Sequence, residues 1–131
     1  MRALRSILIV ALLLVGSCSR PSSLANQVGA AGGTAALIRD CQTILAEHQK
    51  SQKEIWSAGD TNLPPTIAAL QPQIVQIASC EGLPMLDIQV SGGFSHRGLM
   101  VMLTNVPPGF VPRKSSWRVA RISDGIFEYR E

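Results

Sequence analysis

The chain has little of what usually signals catalysis or metal binding. Its 131 residues include only two histidines and three cysteines, with no C-x-x-C or H-x-x-x-H spacing among them. The G-x-S-x-G setting of many hydrolytic serines is absent. From this scarcity the sequence predicts no catalytic residue, no metal site and no cofactor.

A strong excess of basic charge is also missing. The net charge of +3 includes Arg2 and Arg5, and without these two the chain has ten basic and nine acidic residues. Nucleic acid is therefore not an expected partner. The six aromatic residues predict a modest core.

The apolar run near the N-terminus, residues 7–15, is too short to span a membrane. Nine residues rise about 14 Å as a helix, against roughly 30 Å of hydrocarbon. Arg2 and Arg5 precede the run, and the small residues Gly16 and Ser17 follow it. This order is typical of an export signal.

The signal ends in Leu14-Val15-Gly16-Ser17-Cys18, which resembles the lipobox of bacterial lipoproteins. The resemblance covers only the first 18 residues. It implies cleavage before Cys18, acylation of that cysteine and a membrane partner through the acyl chains. It further implies an envelope location, at the periplasmic face of the outer membrane in a Gram-negative host. Ordinary secretion stays open, because Val15 and Ser17 also suit a normal signal cleavage site.

Beyond residues 1–17, the signal peptide, we expect a lipidated tether and one folded domain. Residues 18–33 are rich in Ser, Ala and Gly, which favours the tether. Residues 34–131 have the length of a single α+β domain. Lipidation of Cys18 leaves Cys41 and Cys80 as a pair, and in an exported chain we predict a disulfide between them. A redox or catalytic thiol is the alternative.

Periodicity predicts the elements of the domain. Apolar residues recur at helical spacing over residues 34–58, from Leu37 and Ile38 to Ile55 and Trp56, which predicts one helix of about 24 residues. Pro65 can begin a short second helix. Strands are predicted over residues 73–79, 86–90 and 99–103, from β-branched, alternating and continuous apolar patterns respectively.

A C-terminal hairpin is predicted from residues 116–122 and 126–130 around Asp124-Gly125. The expected register sets Ile122 opposite Phe127 and Ala120 opposite Tyr129. It also sets Arg121 opposite Glu128. The expected fold class is therefore α+β, with a long N-terminal helix packed on an antiparallel meander sheet of four or five strands.

Candidate ligand or partner residues cluster in two glycine- and proline-rich loops. Phe94, His96 and Arg97 lie among Gly92, Gly93 and Gly98, while Phe110 and Trp117 lie in and after a proline-rich loop. Each aromatic residue can equally be part of the core.

The leading functional hypothesis is a lipid-anchored, non-enzymatic interaction or structural module that engages an envelope protein or polymer. One alternative is a small envelope hydrolase or ligand-binding protein centred on His96, Arg97 and Asp87. Another is a pilus-like or secretion-system subunit, suggested by the order of a long helix before a sheet.

Overall fold

The computed structural model describes residues 23–91, 95–113 and 116–131. It confirms an α+β fold with an antiparallel sheet. The elements in chain order are α1 (Leu24–Ala30), α2 (Thr34–Ser51), β1 (Ile55–Ser57), α3 (Pro65–Ala69), β2 (Ile74–Cys80), β3 (Leu83–Ser91), β4 (Arg97–Met102), β5 (Arg118–Ser123) and β6 (Ile126–Arg130). None of these helices is long and apolar enough to cross a membrane.

The single long helix predicted over residues 34–58 is wrong. Helix α2 begins at Thr34 as expected but ends at Ser51, where Gln52 adopts a left-handed conformation and its N–H donates to the His48 carbonyl. The chain then forms the short strand β1, in which Trp56 is buried and lies opposite Val75. Ile55 and Trp56 fit helical spacing and strand pairing equally well, so periodicity could not locate this boundary.

The folded part of the chain starts earlier than residue 34. Residues 24–30, which the sequence assigned to the tether, form helix α1, and Ser23 caps it by accepting a hydrogen bond from the Asn26 N–H. Leu24 and Val28 are four residues apart and both are buried in the core. The signal peptide, Cys18 and the rest of residues 1–22 lie outside the described residues.

The sheet has six strands in the order β1-β2-β3-β4-β6-β5, so the prediction of four or five strands is wrong. The meander order fails only at the end of the chain. Strand β6 pairs with β4, which leaves β5 at the edge of the sheet. The sheet gains its sixth strand from β1, which the sequence had placed in the helix.

The C-terminal hairpin forms around Asp124-Gly125, but the predicted register is wrong by one residue. Arg121 lies opposite Phe127, Ala120 opposite Glu128 and Val119 opposite Tyr129. A register shift between Arg121 and Ser123 accommodates Ile122 and causes the offset. Glu128 therefore accepts from Arg97 and Arg130, and Arg121 pairs with Asp124 instead.

The sheet is buried on both faces. The three helices pack on one of them, which we call the helix-covered face; its strand residues include Val75, Leu86, Ile88, Leu99, Val101 and Ile126. The other, the loop-covered face, is closed by the proline-rich segment that follows β4 together with residues of β5. Its buried residues are Cys80, Met85, Met100, Met102, Phe127 and Tyr129.

No disulfide joins Cys41 and Cys80, contrary to the prediction. Cys41 lies on α2 in the core of the helix-covered face, and Cys80 lies at the end of β2 in the core of the loop-covered face. The sheet itself separates the two thiols. Spacing along the chain could not reveal this, because it carries no information about the face to which a strand residue points.

Candidate functional site

His96 and Arg97 hold the C-terminal strand against β4. Arg97 donates from Nε and Nη2 to Oε1 of Glu128, at 3.2 and 3.1 Å. His96 pairs through Nδ1 with Oε2 of Glu131, whose backbone N–H donates to the His96 carbonyl at 2.9 Å. Both candidate residues thus contribute to strand pairing at this corner of the sheet.

Asp87, the third residue of the hydrolase alternative, is buried on the loop-covered face. Its carboxylate accepts a hydrogen bond from Tyr129 Oη at 2.6 Å and one from Gln76 Nε2 at 3.1 Å. Burial, followed by the bond to Asp87, raises the pKa of the Tyr129 phenol. Tyr129 therefore remains a neutral donor, and its hydroxyl supplies a hydrogen bond to the buried Asp87.

Gly98 makes this contact possible. Tyr129 lies on β6 and Asp87 on β3, so the tyrosine side chain must cross β4, where Gly98 is the residue opposite Tyr129. A Cβ at position 98 would lie 2.6 Å from Tyr129 Oη and would press on the Ile88 carbonyl. A glycine within a strand here serves close approach, and sequence inspection had assigned it only to the loop.

Phe110 and Trp117 lie together on the loop-covered face. Phe110 packs edge-on against Phe127 with ring centroids 6.2 Å apart, and Trp117 stacks on Tyr129 at 4.3 Å. Both residues are half-buried, so they belong to the cover of this core more than to an exposed patch. Phe94 lies outside the described residues.

The proline-rich segment after β4 is attached at several points. Leu103 N–H donates to the Pro84 carbonyl, and Phe110 N–H donates to the Pro107 carbonyl across a turn in which Gly109 has a φ of 75°. The prolines prevent regular strand pairing, as the sequence predicted. This segment, residues 103–113, is called the proline loop below.

A groove lies between the proline loop, helix α2 and the β5–β6 turn. Its volume is about 840 Å³ and it opens to solvent. Ile38 of α2 is 41% exposed at its rim, although its helical spacing had predicted a core position. The wall residues combine apolar, amide and charged side chains, among them Ile38, Gln42, Asn105, Val106, Phe110 and Asp124.

Two other buried polar groups have structural roles. Asp40 accepts a hydrogen bond from the Thr66 N–H at 2.6 Å and so caps helix α3 from α2. Burial, with a smaller contribution from Asp40, raises the pKa of the neighbouring Cys41 thiol to about 12. This thiol is not a nucleophile at neutral pH. Within the described residues no three His, Cys, Asp or Glu side chains are grouped so as to hold a metal ion.

Comparison with protein-family models, with curated proteins and with solved structures finds no match to this chain. The candidate site is therefore judged on its geometry. Sequence reasoning named Phe110, and the structure places it beside the groove. It missed Gln42 and Asn105, which are ordinary polar residues that only the fold brings together.

Proposed function

We propose that this protein is a lipid-anchored envelope module that binds an extended segment of another envelope protein in the groove between α2 and the proline loop. The observation that carries the proposal is the groove itself. The acyl anchor on Cys18 comes from the lipobox resemblance and would keep the module at the membrane.

The shape of the groove favours a peptide over a small molecule. Small-molecule sites enclose most of their ligand, whereas this groove opens to solvent. The exposed apolar surface of Ile38, with Val106 and Phe110 across the groove, can receive apolar side chains of an extended chain. Gln42 and Asn105 offer side-chain amides that can bond to its backbone.

The polar candidates of the hydrolase alternative are engaged elsewhere. His96 pairs with Glu131, Arg97 with Glu128, and Asp87 with Tyr129. Each pair joins the last strand to the rest of the sheet. These contacts favour a structural role for the three residues and support the interaction module as the better proposal.

Site-specific photo-crosslinking in the native host tests the proposal. A photo-reactive residue is placed at Gln42 in the groove or, as the matched control, at Gln49, which is exposed two turns further along the same helix. The proposal expects one dominant envelope protein captured from position 42 only. It also expects Ile38→Asp to abolish the capture, and peptide mapping to place the crosslink in one segment of the partner.

Equal capture from both positions, or capture from 42 that survives Ile38→Asp, would contradict binding in the groove. The anchor is tested separately. Mass spectrometry of the purified full chain should find residue 18 as the acylated N-terminus, and Cys18→Ser should remove the protein from the membrane fraction. An unmodified Cys18 would contradict the anchor and leave the groove result unaffected.

A further inference from the structure

Three arginines stand side by side at one corner of the sheet. Arg97 on β4 lies directly opposite Arg130 on β6, and Arg130 lies directly opposite Arg118 on β5. Directly opposed residues of antiparallel strands point to the same face, with Cα atoms about 5 Å apart. The three side chains therefore form a continuous row across three strands, which we call the arginine row.

The row has too few carboxylates to neutralise it. The carboxylate of Glu128 accepts from Arg97 at 3.1 Å and from Arg130 at 3.4 Å. Within the described residues, this is the carboxylate that forms ion pairs with the row. Arg118 is exposed and has no ion-pair partner within the described ranges. Three guanidinium groups beside one carboxylate leave a local charge of +2.

Like charges placed opposite one another on a sheet are destabilising, so the row requires an explanation. Charged side chains on an edge strand discourage pairing with other sheets, and that accounts for Arg118. It does not account for Arg97 and Arg130, which lie on interior strands and share the single carboxylate of Glu128. An anionic ligand that bridges the guanidinium groups would account for all three.

The row lies on the helix-covered face. On β4, Arg97 points to the same side as Leu99 and Val101, and on β6, Arg130 points to the same side as Ile126. Leu99, Val101 and Ile126 all belong to the core beneath the helices. The outer part of this corner is open, because Arg118, Ala120 and Arg130 are exposed, whereas the side chain of Arg97 is only 13% exposed. Helix α1 on the same face begins six residues after Cys18, a stretch of chain that reaches at most about 22 Å.

We propose that the arginine row binds the phosphate of an anionic phospholipid headgroup and so orients the anchored domain with its helix-covered face toward the bilayer. The inference rests on the proposed anchor at Cys18. Guanidinium groups bind phosphate oxygens in a bidentate manner, and three in a row offer more donors than a single carboxylate can accept. Glu128 accepts from both Arg97 and Arg130, and the exposed Arg118 together with the 52% exposed side chain of Arg130 supplies the donors that face the ligand.

The test uses the full chain, purified in a neutral detergent, and isothermal titration calorimetry. The ligands are dihexanoylphosphatidylglycerol, dihexanoylphosphatidylcholine and inorganic phosphate at equal ionic strength. We expect saturable binding of the phosphatidylglycerol and none of the phosphatidylcholine. Arg118→Gln with Arg130→Gln should weaken the binding at least roughly tenfold, because charge-assisted hydrogen bonds are lost.

The matched control is Lys50→Gln with Arg113→Gln, which removes the same charge from two exposed sites outside the row. It should change the affinity less than about twofold. Equal weakening by both double variants would show diffuse charge attraction and overturn the proposal. Equal binding of both lipids, or binding of inorganic phosphate as tight as that of the lipid, would overturn it as well.

Circular dichroism verifies that the variants are folded. If the double variant is unfolded, the titration is repeated with the single variant Arg118→Gln, whose residue lies on the edge strand. No binding protein takes part in this titration, so loss of lipid binding and loss of the crosslinked partner are separate results. The mass measured for residue 18 shows whether Cys18 is acylated, so absence of the anchor can be told apart from absence of lipid binding by the arginine row.

Discussion

Leu99 and Met100 are neighbours on β4 and both are fully buried, yet they enter cores that are closed by different means. Leu99 packs beneath helices, whose backbone hydrogen bonds are made within each helix. Met100 packs beneath the proline loop and the aromatic residues around it. Regular elements close the first face rigidly, and an irregular segment with a few anchoring contacts closes the second.

The difference has a functional consequence. The proline loop forms both the cover of one core and a wall of the proposed peptide groove. A wall that can shift without unfolding the domain can adapt to a ligand, while the helix-covered face supplies a fixed base. We therefore expect the loop-covered face to open locally at a lower free energy than the helix-covered face.

The largest expected contrast is in thiol reactivity. Burial raises the pKa of Cys41 from its ordinary value of 9.0 to about 12. At pH 8 its thiolate fraction is then about 1000-fold lower than in the unfolded chain. Alkylation by iodoacetamide, followed by peptide mass mapping, should leave Cys41 unmodified in the folded protein. Cys80, under the loop-covered face, should react faster, and equal rates would contradict the comparison.

The same thiol predicts a dependence of stability on pH. The folded pKa of Cys41 lies above its unfolded value, so the folded state holds the proton more tightly. This contribution is fully present below about pH 9 and is lost as the pH rises toward 12. Urea unfolding of the full chain at pH 7, 9 and 10.5 should show a smaller alkaline loss of stability in Cys41→Ala than in the unaltered protein.

Truncation of the two neighbours on β4 compares the faces directly. Leu99→Ala should cost about 3 to 5 kcal/mol of unfolding free energy, because the helices cannot collapse into the cavity. Met100→Ala should cost about 2 kcal/mol, because the proline loop can settle into the space. Urea unfolding of both variants measures the difference. A larger cost for Met100→Ala would show that the loop is the more rigid cover.

Tyr129→Phe should destabilise the loop-covered face alone. Removal of the hydroxyl leaves the buried Asp87 with the bond from the Gln76 side chain, at a cost of about 1 to 3 kcal/mol. Asp87→Asn in the same background should recover part of that loss, since an amide tolerates the lost bond better than a carboxylate. A cost below about 0.5 kcal/mol for Tyr129→Phe would show that water reaches Asp87.

The smallest effect is expected at the corner where the start of β4 meets the end of β6. Glu131→Gln breaks the exposed pair with His96 and should cost no more than about 0.5 kcal/mol. Glu128→Gln should cost more, because Glu128 and Arg97 are only 14% and 13% exposed. Thermal unfolding at low and moderate salt measures both costs, and added salt should lower the cost of Glu131→Gln proportionally more than that of Glu128→Gln, because the exposed pair is screened more.

The helix-covered face was the more predictable of the two. The start of α2, the short helix at Pro65 and the β2, β3 and β4 strands follow from local periodicity and turn chemistry, which depend on neighbouring residues. The end of α2 does not follow from periodicity, because the positions of Ile55 and Trp56 fit the spacing of a helix and the pairing of a strand equally well. Helix α1 was missed because its Gly- and Ala-rich sequence has a stripe of only two large apolar residues.

The loop-covered face and the groove could not be predicted for a different reason. A local pattern does not show that Gly98 leaves room for Tyr129 to reach Asp87 across another strand. It also does not show that a one-residue shift at Ile122 turns Arg121 away from Glu128. The disulfide prediction failed in the same way, since the face occupied by Cys80 is decided by sheet register.

Hydrogen exchange of the purified full chain tests the central claim most directly. The amides of Phe110 and Leu103 report on the proline loop, and those of Ile44 and Leu99 report on the helix-covered face. Local opening predicts that the Phe110 and Leu103 amides exchange at least about 100-fold faster, with Ile44 and Leu99 exchanging only through global unfolding. Exchange of all four amides at the rate of global unfolding would contradict the account, because the loop would then be as firmly closed as the helices.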